Sequence, residues 1–306
     1  MNIIFFGSDS FSLPFLDDLN KKYKISLIVT TKDKVGGRGL KVIETPTKIY
    51  AKEKNIPFIE VSKIKECFEE IKKYNVDIGV VVSFGKIIPE SVIELFPKGI
   101  INLHPSLLPK YRGPNPIRWQ ILNGEKESGI TIMKLTKDVD AGPILLQKKI
   151  DIDEKDNYTK LTKKLIEIGK ECLNEALELI KNGKDIWVEQ KGEASLAPKF
   201  DKDFEKLDFN LEGEYLKRKI LCLSFEPGAY AFFRGKRIKI LDCSIVDKKY
   251  EGDFGGIVFV NRDSFGIKTK DKILIPEILQ PEGKKIMTIK EFINGYKPKP
   301  KEIFSW

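Results

Sequence analysis

Short apolar runs that alternate with amphipathic stretches are the feature that most constrains the fold of this chain. The apolar run 2–6 breaks at Gly7, and the pattern after it is helical through Phe11, Phe15 and Leu19. This order recurs along the first half of the sequence and predicts a doubly wound α/β domain, with a mostly parallel sheet covered on both faces. The further predicted strands are 25–29, 57–61, 78–82, 99–104 and 130–135, and the further predicted helices are 46–54 and 63–74.

The second half of the chain has a different pattern. A helix predicted over 159–182 ends near Gly183, and a polar connection follows. Beyond about residue 210, one helical stretch precedes short strands separated by glycines, a pattern that predicts a small β-barrel. We predict a catalytic domain over 1–183, a linker over 184–206 and a second domain over 207–306, in which the basic segment 297–301 is an extended tail. The predicted strands of the barrel are 229–233, 237–243, 257–260, 266–269 and 273–275.

A length of 306 residues agrees with two domains. No signal peptide is recognisable and no stretch approaches the roughly 20 apolar residues of a membrane span, so we expect a soluble, cytoplasmic protein. The four cysteines lie far apart and the chain has one histidine, so we expect reduced thiols and no metal site. The net charge of +9 favours an anionic partner such as nucleic acid, although a lysine-rich solvated surface would give the same balance.

His104 is the one residue at which imidazole chemistry can occur. Asn102 lies two positions earlier in the same predicted strand, so the two side chains should point to one face. Pro105 ends the run, which places both residues at the carboxyl end of a strand, where open α/β sheets bind ligands. An amide and an imidazolium can donate hydrogen bonds to an oxyanion, and the imidazole can exchange a proton. The alternative is a histidine that only ends a strand with its ring hydrogen-bonded.

A second polar element, Asp138-Val139-Asp140-Ala141-Gly142-Pro143, follows the predicted strand 130–135. Its carboxylates could orient His104 and favour the imidazolium form. We expect this loop to meet the loop after His104, because the carboxyl ends of parallel strands share one edge of a sheet. An ordinary Asp/Gly turn would have the same sequence.

Two further segments suggest binding. The leucines of Ser106-Leu107-Leu108-Pro109 could wall an apolar slot for a flat heterocycle, with main-chain groups binding its polar edge, or they could pack into the core. The segment 32–41 suits a mobile loop that contacts phosphate, or a solvated loop. Its basic residues are Lys32, Lys34, Arg38 and Lys41.

Several motifs are absent from the sequence. Gly7-Ser8-Asp9-Ser10 does not have the spacing of a dinucleotide-binding fingerprint, and there is no Walker A motif. The sequence also lacks a G-x-S-x-G nucleophile elbow. These absences argue against a nicotinamide-dependent dehydrogenase and a serine hydrolase.

The run Asn102-Leu103-His104-Pro105-Ser106-Leu107-Leu108-Pro109, with Asp140 further along, resembles the site of folate-dependent formyltransferases. The resemblance extends from residue 1 to about 296. The catalytic motif is shared by all folate formyltransferases, and the C-terminal motifs are more specific to the methionyl-tRNA formyltransferases. One difference is Pro105, where many members have Gly or Ala, and it should mainly stiffen the loop. The other similar motifs are Gly37-Arg38-Gly39, Thr45-Pro46-Thr47, Ala197-Pro198-Lys199, Leu207-Asp208-Phe209, Pro227-Gly228-Ala229-Tyr230, Leu279-Gln280-Pro281-Glu282-Gly283-Lys284-Lys285 and Phe292-Ile293-Asn294-Gly295.

This resemblance implies a Rossmann-like formyltransferase domain that uses 10-formyltetrahydrofolate, and an OB-like barrel that helps to bind initiator methionyl-tRNA. It implies that no metal is required, and no obligate protein partner is evident. The catalytic residues would be Asn102, His104 and Asp140, the folate contacts Ser106, Leu107, Leu108 and Pro109, and the tRNA contacts Arg38, Lys34 and Lys41.

Other functions share parts of this pattern. Sugar-nucleotide and glycinamide-ribonucleotide formyltransferases would use the same three catalytic residues, but they do not require the cationic loop or the barrel motifs. A formyl-folate hydrolase is expected to carry a regulatory domain ahead of the first strand. A nucleic-acid-binding module with an inactive enzyme-like half would bind tRNA in a salt-dependent manner without transferring a formyl group.

Overall fold

A computed structural model describes residues 1–36, 41–248 and 250–306. The chain forms two compact units whose segments are interleaved along the sequence. The first unit consists of 1–116, 127–151 and 162–198, and the second of 117–126, 152–161 and 199–306. The sequence-based boundaries of 1–183, 184–206 and 207–306 stay a prediction.

The elements up to residue 198 are mostly those expected from the apolar runs. The strands are β1 Asn2–Phe6, β2 Lys24–Thr31, β3 Lys34–Gly36, β4 Lys41–Ile43, β5 Phe58–Val61, β6 Ile78–Val81, β7 Ile100–His104, β8 Glu127–Lys134 and β9 Ile144–Asp151. The helices are α1 Leu13–Lys22, α2 Pro46–Lys54, α3 Phe68–Lys72, α4 Glu90–Ile93, α5 Pro116–Asn123 and α6 Tyr158–Lys181, with a 3-10 turn at Ile64–Cys67.

The first unit is built on a sheet with the strand order β5-β2-β1-β6-β7-β8-β9 among the described residues. The strands from β5 to β7 pair in parallel, whereas β8 and β9 pair antiparallel. The predicted mostly parallel, Rossmann-like sheet is therefore confirmed. The sequence did not predict β9 or the helices α4 and α5.

The central strands are buried on both faces. In β1, the consecutive residues Ile3, Ile4, Phe5 and Phe6 are all fully buried, and consecutive strand residues point to opposite faces. Apolar contacts therefore cover this strand on both sides, as in other parallel sheets.

The elements of the second half are the strands of an antiparallel sheet and short helices. They are α7 Gly213–Leu223, β10 Ala229–Phe233, β11 Lys236–Val246, β12 Ile257–Val260, β13 Phe265–Lys268, β14 Ile273–Pro281, β15 Met287–Thr288, α8 Ile289–Tyr296 and β16 Phe304–Ser305, with a 3-10 turn at Lys202–Glu205. The strand order is β12-β13-β14-β11-β10-β16, with β15 beside β14.

The two ends of this sheet meet. The N–H of Ile257 donates to the carbonyl of Glu302 over 2.8 Å, and the N–H of Phe304 donates to the carbonyl of Gly255 over 2.8 Å. These hydrogen bonds join the start of β12 to the start of β16, so the sheet curls into the small barrel that was predicted.

Two local predictions are wrong. The segment 297–301 is not a simple extended tail, because Lys301 donates its N–H to the carbonyl of Ile257 and leads into β16. The fully buried Phe304 anchors that strand. The predicted helix 63–74 is interrupted at Cys67, whose φ of −108° and ψ of 9° are not helical.

The cysteines behave as buried, unpaired thiols. All four are buried and form no disulfide. Burial raises the pKa of the Cys67 thiol to about 11 and that of Cys172 to about 12. In the described part of the chain, no helix has the length and apolar character needed to cross a membrane.

The barrel core is aromatic and gives a first prediction. The ring of the fully buried Phe265 lies 5.8 Å from that of Phe292 and 5.9 Å from that of Phe304. We expect Phe265→Ala to lower the free energy of unfolding by about 3–5 kcal/mol, because it leaves a cavity. Equilibrium denaturation measures this change.

A control for this prediction is Ile286→Ala, since half of Ile286 is exposed. This change should cost well under about 1 kcal/mol. Equal losses in the two variants would contradict the view that the aromatic cluster stabilises the barrel.

Candidate active site

The side chains of Asn102 and His104 lie at the carboxyl end of β7. They are two residues apart on the strand and so extend from the same face of the sheet. Only 8% of Asn102 and 4% of His104 is exposed. Polar groups buried this deeply require hydrogen-bond partners, and those partners define the candidate site.

Asp140 provides the carboxylate of this site. It lies in the connection between β8 and β9, and its side chain is largely buried. Asn102 Nδ2 donates to Asp140 Oδ1 over 3.3 Å, and His104 Nδ1 lies 3.7 Å from Asp140 Oδ2. The structure therefore brings together the amide, the imidazole and the carboxylate that the sequence singled out. Asp138, the other carboxylate of the same loop, is exposed.

Asp140 reaches this position by a different route from the one predicted. Strand β8 runs antiparallel to β7, with Ile101 opposite Lys134 and His104 opposite Thr131. The end of β8 thus lies beside the start of β7, and the expectation that both loops follow parallel strands is wrong. The loop after β8 instead turns back along β7 as far as Asn102 and His104.

A hydrogen bond at Nε2 locates one hydrogen of the His104 ring. His104 Nε2 lies 2.8 Å from the carbonyl oxygen of Tyr111. A carbonyl only accepts hydrogen bonds, so Nε2 carries a hydrogen. Nδ1, which faces Asp140, is therefore the ring nitrogen at which a proton can be exchanged.

Two glycines help to position Asp140, one at its carboxylate and one in its loop. Gly113 donates its N–H to Asp140 Oδ2 over 2.7 Å, and its φ of +117° lies in the region that favours glycine. A Cβ added to Gly142 would lie 1.9 Å from the carbonyl oxygen of Lys134. The return of the loop toward β7 therefore requires a residue without a side chain at position 142.

The segment 106–109 packs beside this site. Ser106 is fully buried and its hydroxyl donates to the carbonyl of Lys110 over 2.7 Å. Leu108 is buried, and its N–H and carbonyl bond to Thr131 and Gln147. These main-chain groups of Leu108 are thus used within the protein. Leu107 and Pro109 are half-buried, and a folate contact by this segment stays a prediction.

A second pair of polar side chains lies near the same edge of the sheet. Phe6, Val81 and Asn102 are aligned across three neighbouring parallel strands. Two residues beyond Val81, the hydroxyl of Ser83 donates a hydrogen bond to the carboxylate of Asp9. The sequence did not indicate this pair.

The cationic segment is described in part. Arg38 lies outside the described residues, and so does the side chain of Lys41, whereas Lys34 is exposed. The short strands β3 and β4 pair as an antiparallel hairpin on either side of residues 37–40. A loop had been predicted here, so these strands are a difference from the sequence-based expectation.

Lys48 holds both ends of this hairpin. Its Nζ lies 2.6 Å from Asp33, which precedes β3, and 3.3 Å from Glu44, which follows β4. Glu60 on β5 lies 3.0 Å from the same ammonium. The hydrogen bond between Lys48 and Asp33 raises the pKa of the lysine and lowers that of the carboxyl.

With this geometry in view, comparison with known proteins identifies the family. Residues 1–177 match the family model described as formyl transferase, and residues 199–297 match the one described as formyl transferase, C-terminal domain. The chain belongs to the formyl transferase family. It is accordingly an enzyme that transfers a formyl group.

Individual relatives cover almost the whole chain. A methionyl-tRNA formyltransferase from Dictyoglomus turgidum is 42% identical over 97% of this chain and 97% of its own. A solved structure of HypX from Aquifex aeolicus in complex with tetrahydrofolic acid has a TM-score of 0.68 at 18% identity, covering 99% of this chain and 48% of that one. The N-formyltransferase from Helicobacter canadensis, in complex with folinic acid and dTDP-3-aminofucose, has a TM-score of 0.67 at 20% identity, covering 90% and 98%. These two structures show the fold alone.

Several residues of the site were not predicted from the sequence. The carbonyl of Tyr111 and the N–H of Gly113 are main-chain groups, which leave no side-chain signature. Gln190, which contacts the Asp140 loop, lies in the segment predicted as a linker. Among the described residues, no group of three or more His, Cys, Asp or Glu side chains is arranged to hold a metal ion.

The contact of Gly142 gives a second prediction. We expect Gly142→Ala to lower the free energy of unfolding by about 1–3 kcal/mol, because the new methyl group meets the main chain of Lys134, which must then shift. Chemical denaturation of the variant measures the loss.

The matched control is Gly295→Ala, in helix α8. A Cβ there would meet nothing within 4 Å, and alanine in a helix should stabilise by up to about 1 kcal/mol. If Gly142→Ala were as stable as Gly295→Ala, the tight approach to Lys134 would not exist in solution.

Proposed function

We propose that this chain transfers the formyl group of 10-formyltetrahydrofolate to the α-amino group of initiator methionyl-tRNA, in the cytoplasm. The observation that carries the proposal is the meeting of Asn102, His104 and Asp140 at one end of β7. Relatives named methionyl-tRNA formyltransferase that match over nearly all of both chains support the choice of acceptor.

The donors of this site suit a formyl group. 10-Formyltetrahydrofolate supplies a formyl carbon on a nitrogen that can leave, and negative charge develops on the formyl oxygen during attack by an amine. The amide of Asn102 has a second N–H beside the one that it donates to Asp140. When the His104 ring is protonated, Nδ1 also carries a hydrogen. In the proposal, that hydrogen and the second N–H of Asn102 stabilise the developing charge in a largely buried environment.

Asp140 is suited to handle protons. Its carboxylate is held by the N–H of Gly113 and by Asn102, and it lies 3.7 Å from Nδ1 of His104. This separation exceeds a direct hydrogen bond, although catalytic contacts often tighten when substrate binds. Asp140 holds the imidazole in place and accepts, through water, the proton that the attacking amine loses. This proton passes to the folate nitrogen when the bond between that nitrogen and the formyl carbon breaks.

The remaining contacts are also part of the proposal. The segment Ser106-Leu107-Leu108-Pro109 contacts the folate through its two half-buried members, Leu107 and Pro109, which form walls of the folate site. Arg38, Lys34 and Lys41 contact the tRNA acceptor end, since cationic side chains suit phosphate. Lys48 would then keep the cationic hairpin in position.

One experiment tests the whole proposal. Purified protein is mixed with 10-formyltetrahydrofolate and, in separate reactions, with initiator methionyl-tRNA, other aminoacyl-tRNAs and an aminosugar nucleotide. We expect formylation of initiator methionyl-tRNA far above the others. Formylation of the aminosugar nucleotide alone would assign the chain to the sugar-modifying class.

The roles of Asn102 and His104 give a third prediction. We expect Asn102→Ala and His104→Ala each to lower turnover by about 100-fold or more, because each removes a donor to the developing negative charge. Both variants should stay folded, which a cooperative unfolding transition in denaturant verifies.

A matched amide control is Asn182→Ala, at an exposed position near the end of α6. It should keep full turnover. Near-wild-type turnover by either site variant would refute its catalytic assignment.

The cationic segment gives a fourth prediction. We expect Arg38→Ala to raise KM for initiator methionyl-tRNA and to reduce the slope of log affinity against log salt by about 1, because one phosphate contact is lost. Binding of the folate should change little. An equal loss of activity on a small amine acceptor would contradict a role in tRNA binding.

A further inference from the structure

Gln190 makes contacts that link the two loops of the candidate site. Its side-chain Nε2 donates to the carbonyl of Asp140 and to the carbonyl of Gly142, each over 2.9 Å. These two carbonyls lie on either side of Ala141. One amide group therefore binds the main chain of the Asp140 loop at two points.

The other end of the same amide contacts a different loop. Gln190 Oε1 accepts from Nη2 of Arg112 over 2.6 Å and from Nε over 3.2 Å. Arg112 lies between Tyr111, whose carbonyl accepts from His104, and Gly113, whose N–H donates to Asp140. Gln190 thus joins the loop that orients the imidazole to the loop that carries the carboxylate.

The Asp140 backbone requires such support. Its φ of +50° lies in the left-handed region, and a non-glycine residue there costs of the order of 1 kcal/mol or more unless its surroundings hold it. The hydrogen bond of Gln190 to the carbonyl of this very residue provides that hold from the main-chain side, while Gly113 binds the carboxylate.

The strand-like segment around Gln190 is itself fastened to the site. Val188 forms main-chain hydrogen bonds with Ile144 at the start of β9, over 2.7 and 2.9 Å. Further along, Ser195 accepts two hydrogen bonds. Its hydroxyl accepts from the N–H of Tyr111 over 2.9 Å, and its main-chain carbonyl accepts from the N–H of Arg112 over 2.8 Å. Gln190 is therefore fixed on both sides.

We propose that Gln190 is a positioning residue for the transfer reaction, which keeps Asp140 at its working distance from His104 by tying the Asp140 loop to Arg112. This inference rests on the proposed function of Asn102, His104 and Asp140. Gln190 acts through Asp140 and is not itself placed against the reacting atoms.

The decisive variant is Gln190→Glu, which has the same shape. A carboxylate can still accept from Arg112, but it has no hydrogen to donate to the two carbonyls of the Asp140 loop. We expect kcat for initiator methionyl-tRNA to fall about 10- to 100-fold, since misplacement of a catalytic group by about 1 Å has effects of this size. KM for the tRNA should change less than about threefold, because the tRNA contacts proposed here lie on the cationic segment.

A double-mutant cycle separates positioning from general damage. In a protein that carries Asp140→Ala, adding Gln190→Glu should lower kcat by less than about threefold, because the carboxylate that Gln190 positions is gone. If the two substitutions instead lowered kcat by factors that multiply in the double variant, the proposal would be overturned. The matched control is Asn182→Asp, in which an exposed amide that donates to the carbonyl of Glu178 becomes a carboxylate, and it should keep the wild-type kcat.

The outcomes also separate this inference from the proposed function. Wild-type kcat in Gln190→Glu, with an inactive His104→Ala, overturns the role of Gln190 alone. Wild-type kcat in His104→Ala overturns the proposed catalytic site. A readout independent of activity is a crystal structure of Gln190→Glu, in which Asp140 should no longer accept from the N–H of Gly113, and an unchanged Asp140 loop would again overturn the role of Gln190.

Discussion

The in-register parallel pairing of β1, β6 and β7 is the constraint on which the site depends. It aligns Phe6, Val81 and Asn102 across three strands of a sheet whose β1 strand is buried on both faces. Asn102 and His104 therefore lie where a tightly packed apolar sheet gives way to loops. Buried polar groups in such a place are costly without partners. The surrounding loops provide the hydrogen-bond partners that make up the site. Because the side chains of the site are little exposed to water, each electrostatic contact between them is also stronger.

Asp140 is brought to this place by loop structure and not by strand order. Because β8 is antiparallel to β7, the loop after β8 begins at the far end of the strand that carries His104. It returns along that strand with Gly142 against the main chain of Lys134, and Gly113 and Gln190 bind the carboxylate and the backbone at the end of the path. Three separate segments thus determine the position of one carboxylate.

Much of the fold was predictable because hydrophobic periodicity reports burial. Runs such as 2–6 and 78–82 became strands at almost the expected positions, and the spacing of Asn102 and His104 placed them on one face. Periodicity does not report strand direction, so the predicted route of the chain from β8 to Asp140 was wrong. It also cannot reveal hydrogen bonds made by main-chain groups, such as the carbonyl of Tyr111, or a polar residue such as Gln190 whose neighbours have the composition of a linker. The short terminal strand β16 was missed because its single buried anchor, Phe304, follows a basic, proline-rich segment.

The interleaving of the two compact units limits how this chain can be divided. A fragment that starts at residue 199 lacks 117–126 and 152–161, which belong to the same unit as the barrel. One of the missing side chains is that of Arg118, which stacks on Tyr158 at 3.8 Å and donates to the carbonyls of Cys222 and Glu226. A graft of the barrel onto another enzyme would therefore have to bring two short insertions with it. Recombination between relatives at one crossover point would divide the second unit, whereas exchanging its three segments together would keep it intact.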